Sequence, residues 1–194
     1  MVDGSKTSAV VALAFVLVVA AFLLCGCAST ASNGNDQIVK AAIELAEEYR
    51  SLGRLEDSIG VYDKALERTY DYRLLYNKAL TIANLGDFEQ AAALCQEGHG
   101  SFPYILAFKK AQAKYYIELE RWQDAASSYI EVLELDPYDT STRKALISLY
   151  VTNNEPSKAA EQATILWNQG YRTAETVGLM KVSLDPSLES SQED

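Results

Sequence analysis

Four prolines, ten glycines, one histidine and two tryptophans are spread thinly over 194 residues. So few helix breakers, with an Ala-, Leu-, Glu- and Lys-rich stretch from about residue 37 to 170, favour helix over strand and leave room for one domain. The lone histidine, His99, stands between Gly98 and Gly100, with no metal-ligand partner at the usual spacing and no adjacent nucleophile or orienting carboxylate. It is expected in a surface turn. No glycine-rich phosphate loop, HExxH or GxSxG occurs. The expectation is a protein that is not an enzyme, with no catalytic residue, no metal ligand and no cofactor. Basic residues are also the minority. Seventeen Lys and Arg against 27 Asp and Glu give a net charge of −10, which argues against non-specific binding to nucleic acid or to anionic headgroups. Acidic pairs such as Glu47-Glu48 share their helix with basic residues and read as a solvated face.

Cysteine is equally scarce, and the three present fall in two settings. Cys25 and Cys27 follow an apolar run of sixteen residues, Ala9 to Leu24, which has the length of a secretory signal core and falls short of the ~20 residues of a spanning helix. Asp3 offsets Lys6 ahead of that run, so a retained anchor is the alternative. Leu24-Cys25-Gly26-Cys27 resembles a bacterial lipobox. The resemblance implies removal of residues 1–26 and a thioether-linked diacylglyceryl group on Cys27. More than one acyl chain, at ~0.8 kcal/mol per buried CH₂, makes such anchoring stable. Cys25 at the variable position is a mild departure from the pattern. Cys95 then stands alone as a small buried hydrophobe, and the exported domain must hold together by packing without a disulfide. Residues 27–37 are small and polar and are expected to form a flexible tether. Ala28, where enteric inner-membrane lipoproteins carry Asp, points to the outer membrane with the domain facing the periplasm.

The rest of the chain repeats. Arg50-Ser-Leu-Gly53-Arg-Leu-Glu-Asp-Ser58 aligns with Ala83-Asn-Leu-Gly86-Asp-Phe-Glu-Gln-Ala91, Ile117-Glu-Leu-Glu120-Arg-Trp-Gln-Asp-Ala125 and Val151-Thr-Asn-Asn154-Glu-Pro-Ser-Lys-Ala159. The turn residues Gly53, Gly86, Glu120 and Asn154 are 33, 34 and 34 residues apart. Gly53, Gly86 and Asn154 suit a left-handed helix end, whereas Glu120 suggests another turn. Ala46, Ala79 and Ala113 before the turns, and Ser58, Ala91, Ala125 and Ala159 after them, allow two antiparallel helices to approach closely. Tyr49, Ile82, Tyr116 and Tyr150 are expected in the core. Phe102-Pro103 and Asp136-Pro137 close the second and third units.

These residues resemble the tetratricopeptide repeat. The resemblance covers residues 39 to about 172 and is strongest from Tyr115 to Pro137. It implies an all-α, right-handed superhelical stack of about four hairpins, at 39–71, 72–105, 106–139 and 140–172, within a domain spanning 38–184. A short capping helix is expected over 173–184, followed by an acidic disordered tail at 185–194. No unit carries the family's Trp on its first helix, and Gly98 and His99 are expected to loosen the end of the second unit.

In such a stack the first helices line a concave groove. Helical spacing assigns to it Lys40, Ile43, Glu47 and Arg50, then Arg73, Tyr76, Leu80 and Ala83. The third unit supplies Ala107, Lys110, Lys114 and Ile117, with Glu118 at the edge, and the fourth Ser141, Lys144, Ser148 and Val151. The candidate binding residues are Lys40, Arg50, Arg73, Tyr76, Lys110, Lys114 and Lys144, which make the groove basic on an acidic molecule. The expected function is that of a membrane-anchored scaffold or adaptor of the bacterial envelope. Its expected partner is an envelope protein or an acidic peptide segment, with the membrane reached through the N-terminal lipid and no nucleic acid bound. The alternative is a small-ligand-binding accessory subunit of a transport system. The carboxylate clamp of chaperone-binding family members is not reproduced, because its Lys and Asn fall on Ile43 and Glu47.

Overall fold

The computed structural model describes residues 34–184, which form nine helices and no strand. These are α1 (34–51), α2 (Leu55–Leu66), α3 (Tyr72–Asn84), α4 (Phe88–Ser101), α5 (Ala107–Glu118), α6 (Trp122–Leu135), α7 (Thr140–Thr152), α8 (Pro156–Asn168) and α9 (Ala174–Leu184). They pair as four antiparallel hairpins, α1 and α2 joined through a shared buried cluster, with α9 packed on α8 as the capping helix. The expected signal segment, Cys27, most of the expected tether and the expected acidic tail lie outside the described residues. None of the described helices is long and apolar enough to cross a membrane.

Helix starts follow local chemistry. Asp71, Asp87 and Asp139 each accept a backbone N–H of the first turn they precede, satisfying one of the donors that a helix leaves unpaired. Pro156 sits at the first position of α8, where its missing N–H costs nothing. One boundary differs from expectation. Residues 34–37, assigned to the tether, are the first turn of α1. Asp36 anchors that turn, accepting from Arg73 Nη1 at 2.8 Å and pairing with Lys40 at 2.9 Å.

The small residues lie where the hairpins close. Ala46, Ala79, Ala113, Ser58, Ala91, Ala125 and Ala159 are all buried, the alanines in three apolar clusters that succeed one another along the stack. Glu120 departs from expectation: its φ of 57° matches Gly53, Gly86 and Asn154 in the left-handed region. The reason is the hydrogen-bond pair that closes the helix. Arg121 N donates to Tyr116 O and Glu120 N to Ile117 O, as Arg54 N does to Tyr49 O and Gly53 N to Arg50 O. Ile82 and Tyr150 are buried as expected. Tyr49 and Tyr116 are only half-buried, each covered by the arginine after its turn, Arg54 and Arg121, at 4.7 and 4.5 Å from the ring centre.

The end of the second unit is tight. α4 continues through Gly98 and His99 to Ser101, so His99 lies in the last helical turn, half-buried. A Cβ on Gly98 would meet Phe108 Cε1 at 2.4 Å and Cζ at 2.5 Å. The absent side chain is what admits the fully buried Phe108 ring of α5. Cys95, also fully buried, has its thiol pushed up by burial to about 12, which fits a packing residue rather than a reactive thiol.

Candidate functional site

The first helices bury one face against the second helices and leave the other open, the inner face of such a stack. In α1, Val39, Ala42 and Ala46 are buried while Lys40 and Glu47 are exposed. In α5, Phe108, Ala111 and Tyr115 are buried while Lys114 is exposed. Ile43, Tyr76, Leu80 and Ile117 are half-buried along this face, Ser141, Lys144, Ser148 and Val151 are exposed, and Ala83 is buried.

Four of the six expected groove cations are held by acids of the chain itself. Arg73 reaches Asp71 at 2.9 Å and Asp36 of α1 at 2.8 Å, tying α3 to α1. Lys110 of α5 pairs with Asp139 at the start of α7. Lys40 pairs with Asp36, and Arg50 with Glu47 at 3.5 Å. Arg73 and Lys110 are thus struts between neighbouring repeats. Lys114 and Lys144, on the adjacent first helices α5 and α7, make no ion pair among the described residues. Sequence spacing named these six cations and, apart from Glu47, did not name the acids that hold four of them. The Asp36–Lys40 pair was readable as an i,i+4 contact, and Asp71 and Asp139 as helix caps.

Asp139 illustrates the electrostatics. Burial pushes its carboxyl up, but hydrogen bonds from Lys110, Ser141 and Thr142 outweigh that and hold it well below the usual carboxylate range. Hydrogen bonds from Lys40 and Arg73 lower Asp36, and hydrogen bonding to Arg73 lowers Asp71. A carboxyl lowered on folding adds stability above its unfolded pKa of ~3.9 and loses it as pH falls through the folded value. Asp139→Asn keeps the cap and removes the charge. It is expected to cost about 1 kcal/mol at neutral pH, discounted for the partial exposure of Lys110. The gap from wild type should shrink as pH drops below about 4. Urea denaturation at a series of pH values measures this, and a gap unchanged at pH ~2.5 would contradict it.

A cavity of about 190 Å³ lies elsewhere, between α6 and the α7–α8 turn, lined by Trp122, Ile130, Leu149, Tyr150, Asn153 and Lys158 among others. It is below the ~300 Å³ at which small-molecule sites usually begin. No group of His, Cys, Asp and Glu among the described residues is arranged to hold a metal ion.

Residues 43–104 match the sequence pattern of the tetratricopeptide repeat. Solved structures extend the likeness along the stack. A tetratricopeptide repeat protein from Parabacteroides merdae aligns with 76% of this chain at 15% identity and a TM-score of 0.64, and the chain spans 59% of that protein's length. MamA from Desulfovibrio magneticus RS-1 aligns over 81% of this chain and 98% of its own, at 14% identity and a TM-score of 0.57. The first repeat domain of Spaghetti (RPAP3), solved bound to the HSP90 peptide SRMEEVD, aligns over 61% of this chain and 94% of its own, at 20% identity and a TM-score of 0.53. The chain has the all-α fold of a tetratricopeptide-repeat stack, with a C-terminal capping helix.

Proposed function

We propose that the protein is a lipid-anchored scaffold of the bacterial envelope, outer membrane and periplasm-facing, whose inner groove holds an extended acidic segment of a partner protein. One observation carries the binding reading. In a molecule of net charge −10, Lys114 and Lys144 stand exposed on neighbouring first helices and make no ion pair among the described residues. The other groove cations are engaged internally, so an incoming carboxylate meets these two lysines without displacing a native partner. The acidic HSP90 peptide bound to the RPAP3 domain supports the same class of ligand. Ile43 and Glu47, in place of a Lys and an Asn, disfavour a chaperone tail as the particular partner. The sixteen-residue apolar run and the Leu24–Cys27 motif support the anchor, and Ala28 supports the outer membrane.

The test is fluorescence anisotropy with a labelled Asp- and Glu-rich peptide bearing a free C-terminal carboxylate. Lys114→Glu with Lys144→Glu is expected to weaken binding at least several-fold with helicity unchanged, and wild-type affinity is expected to fall with salt. Lys110 is unsuited to this test, because reversing it would set a carboxylate against Asp139. Binding insensitive to both the double variant and salt would move the interface off this face.

A further inference from the structure

Among the described residues, five aromatic side chains are exposed: Tyr70, Tyr72, Tyr104, Tyr138 and Tyr171. All five lie on one edge of the stack, where each second helix hands over to the next first helix or, after α8, to α9. Tyr70, Tyr104 and Tyr138 recur at an interval of 34 residues. Tyr104 is 94% exposed and Tyr138 78% exposed. Tyr70 is braced, its ring stacked on Phe102 at 5.7 Å and its hydroxyl bonded to Glu97 and Ser101. The opposite edge, at the turns marked by Gly53, Gly86, Glu120 and Asn154, exposes Leu52 and Leu85 but no aromatic.

The chain enters the domain at this same edge. The Arg73–Asp36 pair sets the start of α1 beside the start of α3, and Lys110–Asp139 aligns α5 with α7. From Cys27 to Gly34 is seven residues, which reach at most about 25 Å. A helix of 12–14 residues puts the opposite edge a further ~20 Å away. Tyrosine suits a membrane interface because its ring takes the apolar side and its hydroxyl stays wet. Of the loop acids, Asp71 and Asp139 are neutralised by Arg73 and Lys110, while Glu67 and Asp136 are exposed without an ion pair among the described residues, so the edge suits zwitterionic rather than anionic lipid.

We infer that the tyrosine edge is a lipid-facing surface: the anchored domain stands on the bilayer through Tyr104, Tyr138 and their neighbours, and the turn edge points away from it. This rests on the proposed anchor. The experiment uses the lipidated full-length protein, isolated from its bacterial host and reconstituted in phosphatidylcholine vesicles. A fluorophore is attached at Gly100→Cys, where a Cβ has open space beside the tyrosine edge, or at the exposed Leu52→Cys on the other. Nitroxide carried by lipid is expected to quench position 100 several-fold more than position 52. Tyr104→Ser with Tyr138→Ser is expected to abolish that difference while circular dichroism and vesicle flotation stay unchanged. Floating protein quenched equally at both positions, or a difference that survives the double variant, would overturn this inference alone. Protein that carries no lipid and does not float would overturn the anchoring reading, and this inference with it.

Discussion

Gly98→Ala is expected to destabilise the domain by about 3 kcal/mol, at the upper end for overpacking by a single methyl group. The added Cβ would lie 2.4–2.7 Å from three carbons of Phe108. That ring is fully buried and belongs to the cluster shared by α3, α4 and α5, so it has little room to swing aside. The remedy is in the repeat itself. One unit earlier, Ala65 and Leu74 occupy the positions of Gly98 and Phe108 and share a buried cluster. Gly98→Ala with Phe108→Leu copies that pair and should recover much of the loss, giving a coupling energy of about 1–2 kcal/mol in a double-mutant cycle. Additive effects in urea denaturation would show that the two residues do not limit each other.

Ala125→Arg is expected to be larger still, about 4–5 kcal/mol or outright failure to fold. Ala125 is fully buried on α6 in one cluster with the equally buried Ala113 of α5, so a guanidinium there has neither space nor a partner. Because each hairpin leans on its neighbours, the loss should spread beyond the third unit. Hydrogen exchange should show lost protection in α4 and α7 as well as in α5 and α6. Ala125→Gly, which adds no volume, should cost only about 1 kcal/mol. A wild-type melting temperature for Ala125→Arg would mean that the helices do not meet there.

The hairpins were legible because a period of 33–34 residues carries small residues and turns at fixed offsets, and the buried Ala46, Ala79, Ala113, Ala91, Ala125 and Ala159 follow from it. Gly98 was misread as a loosening residue because its meaning depends on Phe108 in the next helix, and periodicity assigns faces without measuring clearance. Glu120 was misread for a related reason. Propensity disfavours a left-handed glutamate, but the two hydrogen bonds that end α5 impose the conformation. Spacing assigned the groove cations to one face, yet which of them stay available depended in part on ion pairs between helices, Lys110–Asp139 and Arg73–Asp36, whose partners are 29 and 37 residues apart. The tyrosine edge was not read from the sequence, although Tyr70, Tyr104 and Tyr138 stand 34 residues apart, because exposure of these rings depends on the folded loops.

Lipid attachment is the central proposal, and the most direct measurement of it is metabolic labelling with a tagged palmitate in a bacterial host. Wild-type protein and Cys25→Ser are expected to take up label and run at the processed size. Cys27→Ser is expected to take up none and to accumulate as a precursor that keeps residues 1–26. Undiminished label on Cys27→Ser, or no label on the wild type, would contradict the anchor.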